Sequence, residues 1–253
     1  MRYLSSLAIA FATYSKIPMP QVDWSDENRK YSMCFFPLIG AVIGLAMSLW
    51  LLICDWLQLG SMLRGAIGAI LPILITGGIH MDGFMDTSDA MASWQPKERR
   101  LEILKDSHVG AFAVIGCGVY LMAMAGLLSE AAWAQAPMVG MCFVASRALS
   151  AWTLTVFDSA RPNGMLDSFA RTAQKRMVGA SSAVYLVVCA LVWIVCGGWT
   201  AALCLAAAVG CVWAYRRMAY KYFGGVTGDL AGWFLQIAEL SCIAMAVIGG
   251  KTL

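Results

Sequence analysis

Seven stretches of this chain are long and apolar enough to cross a lipid bilayer, and nothing else in it constrains the fold as strongly. They run over about 35–54, 62–79, 109–128, 132–157, 180–196, 199–215 and 230–249. A spanning helix needs about 20 mostly apolar residues. The expected fold is therefore all-α: a polytopic membrane helix bundle of about seven transmembrane helices plus a short N-terminal helix near 2–15. Residues 1–253 read as a single integral membrane domain, without internal repeats. Pro72 is placed to kink the second span. The last short pair, joined at Gly197-Gly198-Trp199, reads as a tight helical hairpin.

Composition supports this reading. Hydrophobic residues make up 60% and charged residues 13%, where soluble domains carry about 25% charged. That excludes a disordered chain, a disulfide-stapled mini-protein and an ordinary soluble enzyme. The nine cysteines sit mostly in apolar stretches and form no C-x-x-C pair, so they read as packing residues. A net charge of +3 without a basic, aromatic-interleaved polar segment is no nucleic-acid signature. The apolar N-terminus is short, interrupted by Ser5 and Ser6, and followed by Lys16, Pro18 and Pro20. It reads as a retained helix rather than a cleaved signal.

The loops divide by charge. Most of the 18 basic residues lie before span one and between spans two and three, four and five, and six and seven. The connections near 55–61, 129–131 and 197–198 hold none. The positive-inside rule then puts the N-terminus and the three long loops in the cytoplasm. Chemistry is expected at that cytoplasmic end.

One such loop carries Thr76-Gly77-Gly78-Ile79-His80-Met81-Asp82-Gly83-Phe84-Met85-Asp86-Thr87-Ser88-Asp89. Asp82, Asp86 and Asp89 are spaced i, i+4, i+7, which puts them on one helix face. Two like charges about 6 Å apart repel by roughly 3 kcal/mol at an effective dielectric near 20. Either some stay protonated or a cation sits among them. Oxygen-only ligands of this kind suit Mg²⁺ with substrate phosphates. A solvated helix face is the plain alternative. His80 could contact phosphate or simply end the span.

Other polar residues stand in costly or suggestive places. Lys105, Asp106 and Ser107 precede span three, where they could cap the helix or face the metal. Arg147 lies inside span four, at a cost of at least about 2.5–3.5 kcal/mol, and needs a buried acidic partner or an anionic substrate. Glu239, inside span seven, is expected to face the bundle interior opposite it. Arg161, in Arg161-Pro162-Asn163-Gly164, suits phosphate by guanidinium geometry. Gly224-Gly225-Val226-Thr227-Gly228-Asp229 opens span seven as a glycine turn that could offer N–H groups to an anion. Gly225, Thr227 and Asp229 are its candidate ligands. No nucleophile–base pair and no P-loop is visible. Three classes fit: a phosphotransferase on a nucleotide-activated substrate (CDP-alcohol type included), an intramembrane prenyltransferase, or a divalent-cation transporter.

Together these motifs resemble the cobalamin synthases, the adenosylcobinamide-GDP ribazoletransferases. The resemblance rests on Phe36-Pro37-Leu38-Ile39-Gly40, the Thr76–Asp89 segment, Lys105-Asp106-Ser107, Ser146-Arg147, Arg161 with Gly164, and Gly224–Asp229 followed by Glu239. The chain departs from it at Ala90, Ala111 and Ala113, where packing rather than charge changes. The resemblance implies a Mg²⁺-dependent, multi-pass enzyme of the bacterial inner membrane. It would join adenosylcobinamide-GDP to α-ribazole or its 5′-phosphate and release GMP. On that reading Asp82, Asp86 and Asp89 hold Mg²⁺, Arg161 and Lys105 stabilise phosphate charge, and Asp106 or a metal-site aspartate handles the attacking hydroxyl. His80, Ser107, Arg147, Gly225, Thr227, Asp229 and Glu239 line the substrate site. A homo-oligomer or association with other cobalamin-assembly enzymes is left open.

Overall fold

The apolar stretches become helices in the computed structural model, which describes residues 2–161 and 164–250. Pro162 and Asn163 of the predicted arginine turn lie outside the described residues. Twelve α-helices follow in order among the described residues: α1 (Arg2–Tyr14), α2 (Asp26–Arg29), α3 (Ser32–Trp56), α4 (Ser61–Thr76), α5 (Ile79–Ala92), α6 (Lys97–Ile103), α7 (Ala111–Ser129), α8 (Ala136–Val156), α9 (Met165–Thr172), α10 (Lys175–Gly197), α11 (Thr200–Tyr222) and α12 (Gly228–Gly250). A 3₁₀ turn, Trp133–Gln135, leads into α8.

Six helices are long and apolar enough to span: α3, α7, α8 with its leading turn, α10, α11 and α12. Their outer faces carry exposed apolar side chains, such as Leu45 and Leu49 on α3 and Val187, Leu191 and Val195 on α10. Water would penalise such continuous apolar faces, and lipid does not. The nine cysteines are all free.

The second predicted span is the exception. α4 ends at Thr76, and α5 leaves it at 101°. Its 16 residues rise only about 24 Å, short of a hydrocarbon core of about 30 Å. Pro72 does not cause the break, because α4 continues through it. The turn is made by Gly77 and Gly78, both left-handed at φ 69° and 82°, a conformation that glycine adopts without steric cost. Among the described residues there are thus six unbroken candidate spans, with the bent pair α4–α5 as the seventh candidate.

α8 is the central post, packed against α3, α10 and α12. Its contact with α3 is close because small residues face each other: a methyl on Gly44 would stand 2.8 Å from the Gly140 carbonyl oxygen. Such small-residue contacts let helices gain van der Waals packing where lipid offers no hydrophobic drive. α4 pairs with α7, and α11 with α12. The predicted N-terminal helix is α1; it docks on α3 through Ile9, Ala10 and Phe11. At 13 residues it is too short to span.

Candidate active site

α5 is held against the start of α12 by two glycines. A methyl on Gly83 would stand 2.7 Å from the Asp229 backbone oxygen, and one on Gly232 would stand 2.8 Å from that of His80. Only hydrogen at both positions lets the helices approach so closely. Asp82 and His80 of α5 and Asp229 of α12 consequently line one cleft.

The third side is a loop after α8. Val226 donates its N–H to the Asp158 carbonyl and Ala160 donates to the Val226 carbonyl, each at 2.9 Å. Ser159 and Val226 thereby form an isolated parallel bridge. This bridge delivers Arg161, whose Nη1 lies 3.4 Å from Asp229 Oδ2 and whose Nη2 donates to the Leu101 carbonyl. The cleft, about 360 Å³, is also walled by Tyr14, Phe36, Ser150 and Asp167. α3 and α12 begin and α8 ends here, so the cleft opens at a single end of the bundle.

Its electrostatics are unbalanced. Asp82 is exposed, and neither the Asp82 nor the Asp86 carboxylate has a hydrogen-bond or ion-pair partner within 4 Å among the described residues. Burial pushes the Asp86 carboxyl up to about 7, and the charges of Asp82, Asp229 and Asp89 add to the rise; Arg161 opposes it. Among the described residues, no three His, Cys, Asp or Glu side chains converge closely enough to hold a metal ion unaided. The acidic donors near the cleft, Asp82, Asp86 and Asp229, nonetheless offer only oxygen and are short of positive charge. That suits a hard cation that keeps water and takes its remaining ligands from phosphate.

Several predicted site residues are placed elsewhere. Asp89 is drawn away to cap α7: its carboxylate accepts from the N–H groups of Gly110 at 2.7 Å and Ala113 at 2.8 Å. Gly110 has no side chain to cap with, so the distant aspartate supplies the acceptor at the positive helix end. Lys105, Asp106 and Ser107 lie exposed between α6 and α7, and none lines the cleft. Asp106 accepts from the His108 N–H at 3.0 Å and contacts its Nδ1 at 2.6 Å; those bonds hold its carboxyl below the usual range. Gly225 does not aim its N–H at the cleft but donates it to Ala219. Its missing side chain instead admits the 158–160 segment, since a methyl there would stand 2.6 Å from the Asp158 oxygen.

Arg147 and Glu239 do face each other, 2.6 Å apart and each 1% exposed. Neither lines the cleft; Arg147 Nη1 also donates to the Phe143 carbonyl at 3.0 Å, so the acidic partner the sequence called for is Glu239. Ser146 adds a hydrogen bond to Glu239 at 3.3 Å. Thr227 lies in the cleft wall, where its hydroxyl accepts from the Leu230 N–H and caps α12. His80 stays in the wall, beside Tyr14 and Phe36, and its Nε2 has no partner.

Tyr14, Asp167 and Ser159 line the cleft without having been singled out by sequence. Tyr14 arrives through the docking of α1 and Ser159 through the β-bridge, both long-range events with no local signal. Asp167 had one weak cue, an i,i+4 partner in Arg171, which it meets at 2.8 Å.

The sequence profile described as "Cobalamin-5-phosphate synthase" matches residues 6–247. A protein of Lachnoclostridium phytofermentans named adenosylcobinamide-GDP ribazoletransferase is 44% identical over 248 residues, which is 98% of this chain and 95% of the relative. A protein of the same name from Desulfitobacterium hafniense is 31% identical, covering 95% of both chains. One from Geobacillus thermodenitrificans is 34% identical over 91% of this chain and 90% of its own. No solved structure matches the chain.

Proposed function

This chain belongs to the cobalamin-5-phosphate synthase family, and from that premise we propose that its cleft transfers the adenosylcobinamide-phosphate group of adenosylcobinamide-GDP to α-ribazole or its 5′-phosphate. The observation that carries the reading is the meeting of Asp82, Asp229 and Arg161 in one cleft at a single end of the bundle. Phosphoryl transfer asks mainly for positioning and charge neutralisation; Arg161 is the cleft's own cation toward phosphate, and bound Mg²⁺ would supply the rest of the neutralising charge. Family membership separates this reading from the prenyltransferase and transporter alternatives.

The reaction breaks the bridging P–O bond of the diphosphate and forms a new P–O bond to a ribose hydroxyl. GMP leaves with the electron pair, and the hydroxyl gives up its proton. Arg161, anchored by Leu101 and Asp229, directs its guanidinium toward phosphate oxygens. The proton falls to a carboxylate of the cleft, Asp82 or Asp229, and not to the exposed Asp106. His80, Tyr14 and Phe36 form a wall against which a planar base can rest. Asp82 and Asp86 would hold Mg²⁺, which when bound neutralises charge on the diphosphate. A cleft of about 360 Å³ admits the diphosphate with part of a nucleoside and leaves the corrin ring outside. The basic loops surround this end of the bundle, which supports a cytoplasmic mouth in the bacterial inner membrane.

The test is direct. Protein purified in detergent, given adenosylcobinamide-GDP, α-ribazole and Mg²⁺, is expected to yield adenosylcobalamin and GMP. No product under these conditions, with prenylation of an aromatic acceptor by the same sample, would overturn the reading.

A further inference from the structure

A second cavity lies away from the cleft, between α8, α10 and α11. It measures about 640 Å³ and is walled by Trp152, Trp193, Leu205, Val209 and Trp213, with Arg216 as its one charged lining residue. Leu205, Val209 and Trp213 are exposed on the outer face of a spanning helix, so the groove opens toward the hydrocarbon. Its walls are almost entirely apolar and suit an acyl chain. Arg216 stands near the C-terminal end of α11, within the basic run Arg216, Arg217 and Lys221. It rests over the Tyr220 ring at 5.2 Å and has no carboxylate partner among the described residues. An apolar slot ending in an uncompensated guanidinium matches one amphiphile in both halves: an acyl chain below and an anionic phosphate above.

We propose that this groove binds an anionic phospholipid, with an acyl chain between α10 and α11 and the phosphodiester on Arg216. The guanidinium fork suits phosphate oxygens better than an ammonium would. The basic loops put this end at the cytoplasmic leaflet, where anionic lipids lie within reach. Tyr220, under Arg216, donates to Asp158 at 3.1 Å. The headgroup therefore sits one side chain away from the loop that presents Arg161.

Native mass spectrometry of the full chain in detergent tests this, using phosphatidylglycerol and phosphatidylcholine of identical acyl chains. Wild type is expected to retain phosphatidylglycerol about tenfold more strongly. Arg216→Gln is expected to reduce that preference to near parity with unchanged thermal melting. Leu205→Trp, which fills the groove, is expected to weaken retention of both lipids. Equal retention of the two lipids by wild type would overturn the proposal. So would a phosphatidylglycerol preference that survives both substitutions, or a dimer mass that Leu205→Trp alone abolishes. The readout does not involve transferase activity, so its failure is separable from failure of the functional reading.

Discussion

Replacing Glu239 by Gln leaves the shape of the bundle core intact and removes one charge from it. Arg147 Nη1 and Glu239 Oε1 are 2.6 Å apart, with both side chains 1% exposed. Breaking such a pair from one side strands a buried charge, at about 3–5 kcal/mol. For a chain of this size each kcal/mol moves the melting temperature by about 2–4 °C. Glu239→Gln and Arg147→Met should therefore each lower it by roughly 6–20 °C. The double variant Arg147→Met, Glu239→Gln combines the same two substitutions and removes both charges, and should melt above either single variant. Thermal unfolding in one detergent, read by intrinsic fluorescence, gives the cycle. Turnover per folded molecule should stay within a few-fold of wild type, because neither residue lines the cleft. Singles that each lose less than about 1 kcal/mol, with an additive double, would refute the pairing argument.

Three further outcomes are expected. Asp89→Ala removes two charge-assisted bonds from the start of α7 and should lower stability by about 1–2 kcal/mol in the same melt. Asp86 binds its proton more tightly folded than unfolded, at about 7 against 3.8. In chelator, stability should therefore fall as pH rises from about 4 through 7; Mg²⁺ or Asp86→Asn should flatten that slope, and a pH-independent melt in chelator would count against the charge cluster. In a background with its native cysteines replaced, Lys97→Cys and Ala134→Cys should react with impermeant maleimide from opposite sides of the membrane. Labelling of both from one side would break the orientation.

The helices were legible because a spanning segment writes itself as a run of apolar residues, and six of the seven runs became unbroken spans. The end of the second was misjudged: hydropathy continues across Gly77 and Gly78, while the backbone turns there. The acidic segment was legible as a concentration of charge in a chain with little of it. Its convergence was not, because i,i+4,i+7 spacing places residues on one face but says nothing of what packs against that face. α7 claims Asp89, and α12 contributes Asp229 from 140 positions further along the chain. Arg147 and Glu239 announced a pairing by the cost of each alone. Gly225 was read as an anion nest, yet its missing side chain serves a β-bridge that only the folded chain reveals.

The central claim is that transfer takes place in the cleft between α5 and α12. Turnover of adenosylcobinamide-GDP with α-ribazole, measured for wild type, Asp82→Asn and the exposed-loop control Asp106→Asn at matched folded fractions, tests it most directly. The account predicts that Asp82→Asn loses at least about a hundredfold in kcat across Mg²⁺ concentrations, while Asp106→Asn stays within a few-fold of wild type. Near-normal turnover in Asp82→Asn, or a collapse in Asp106→Asn alone, would contradict it.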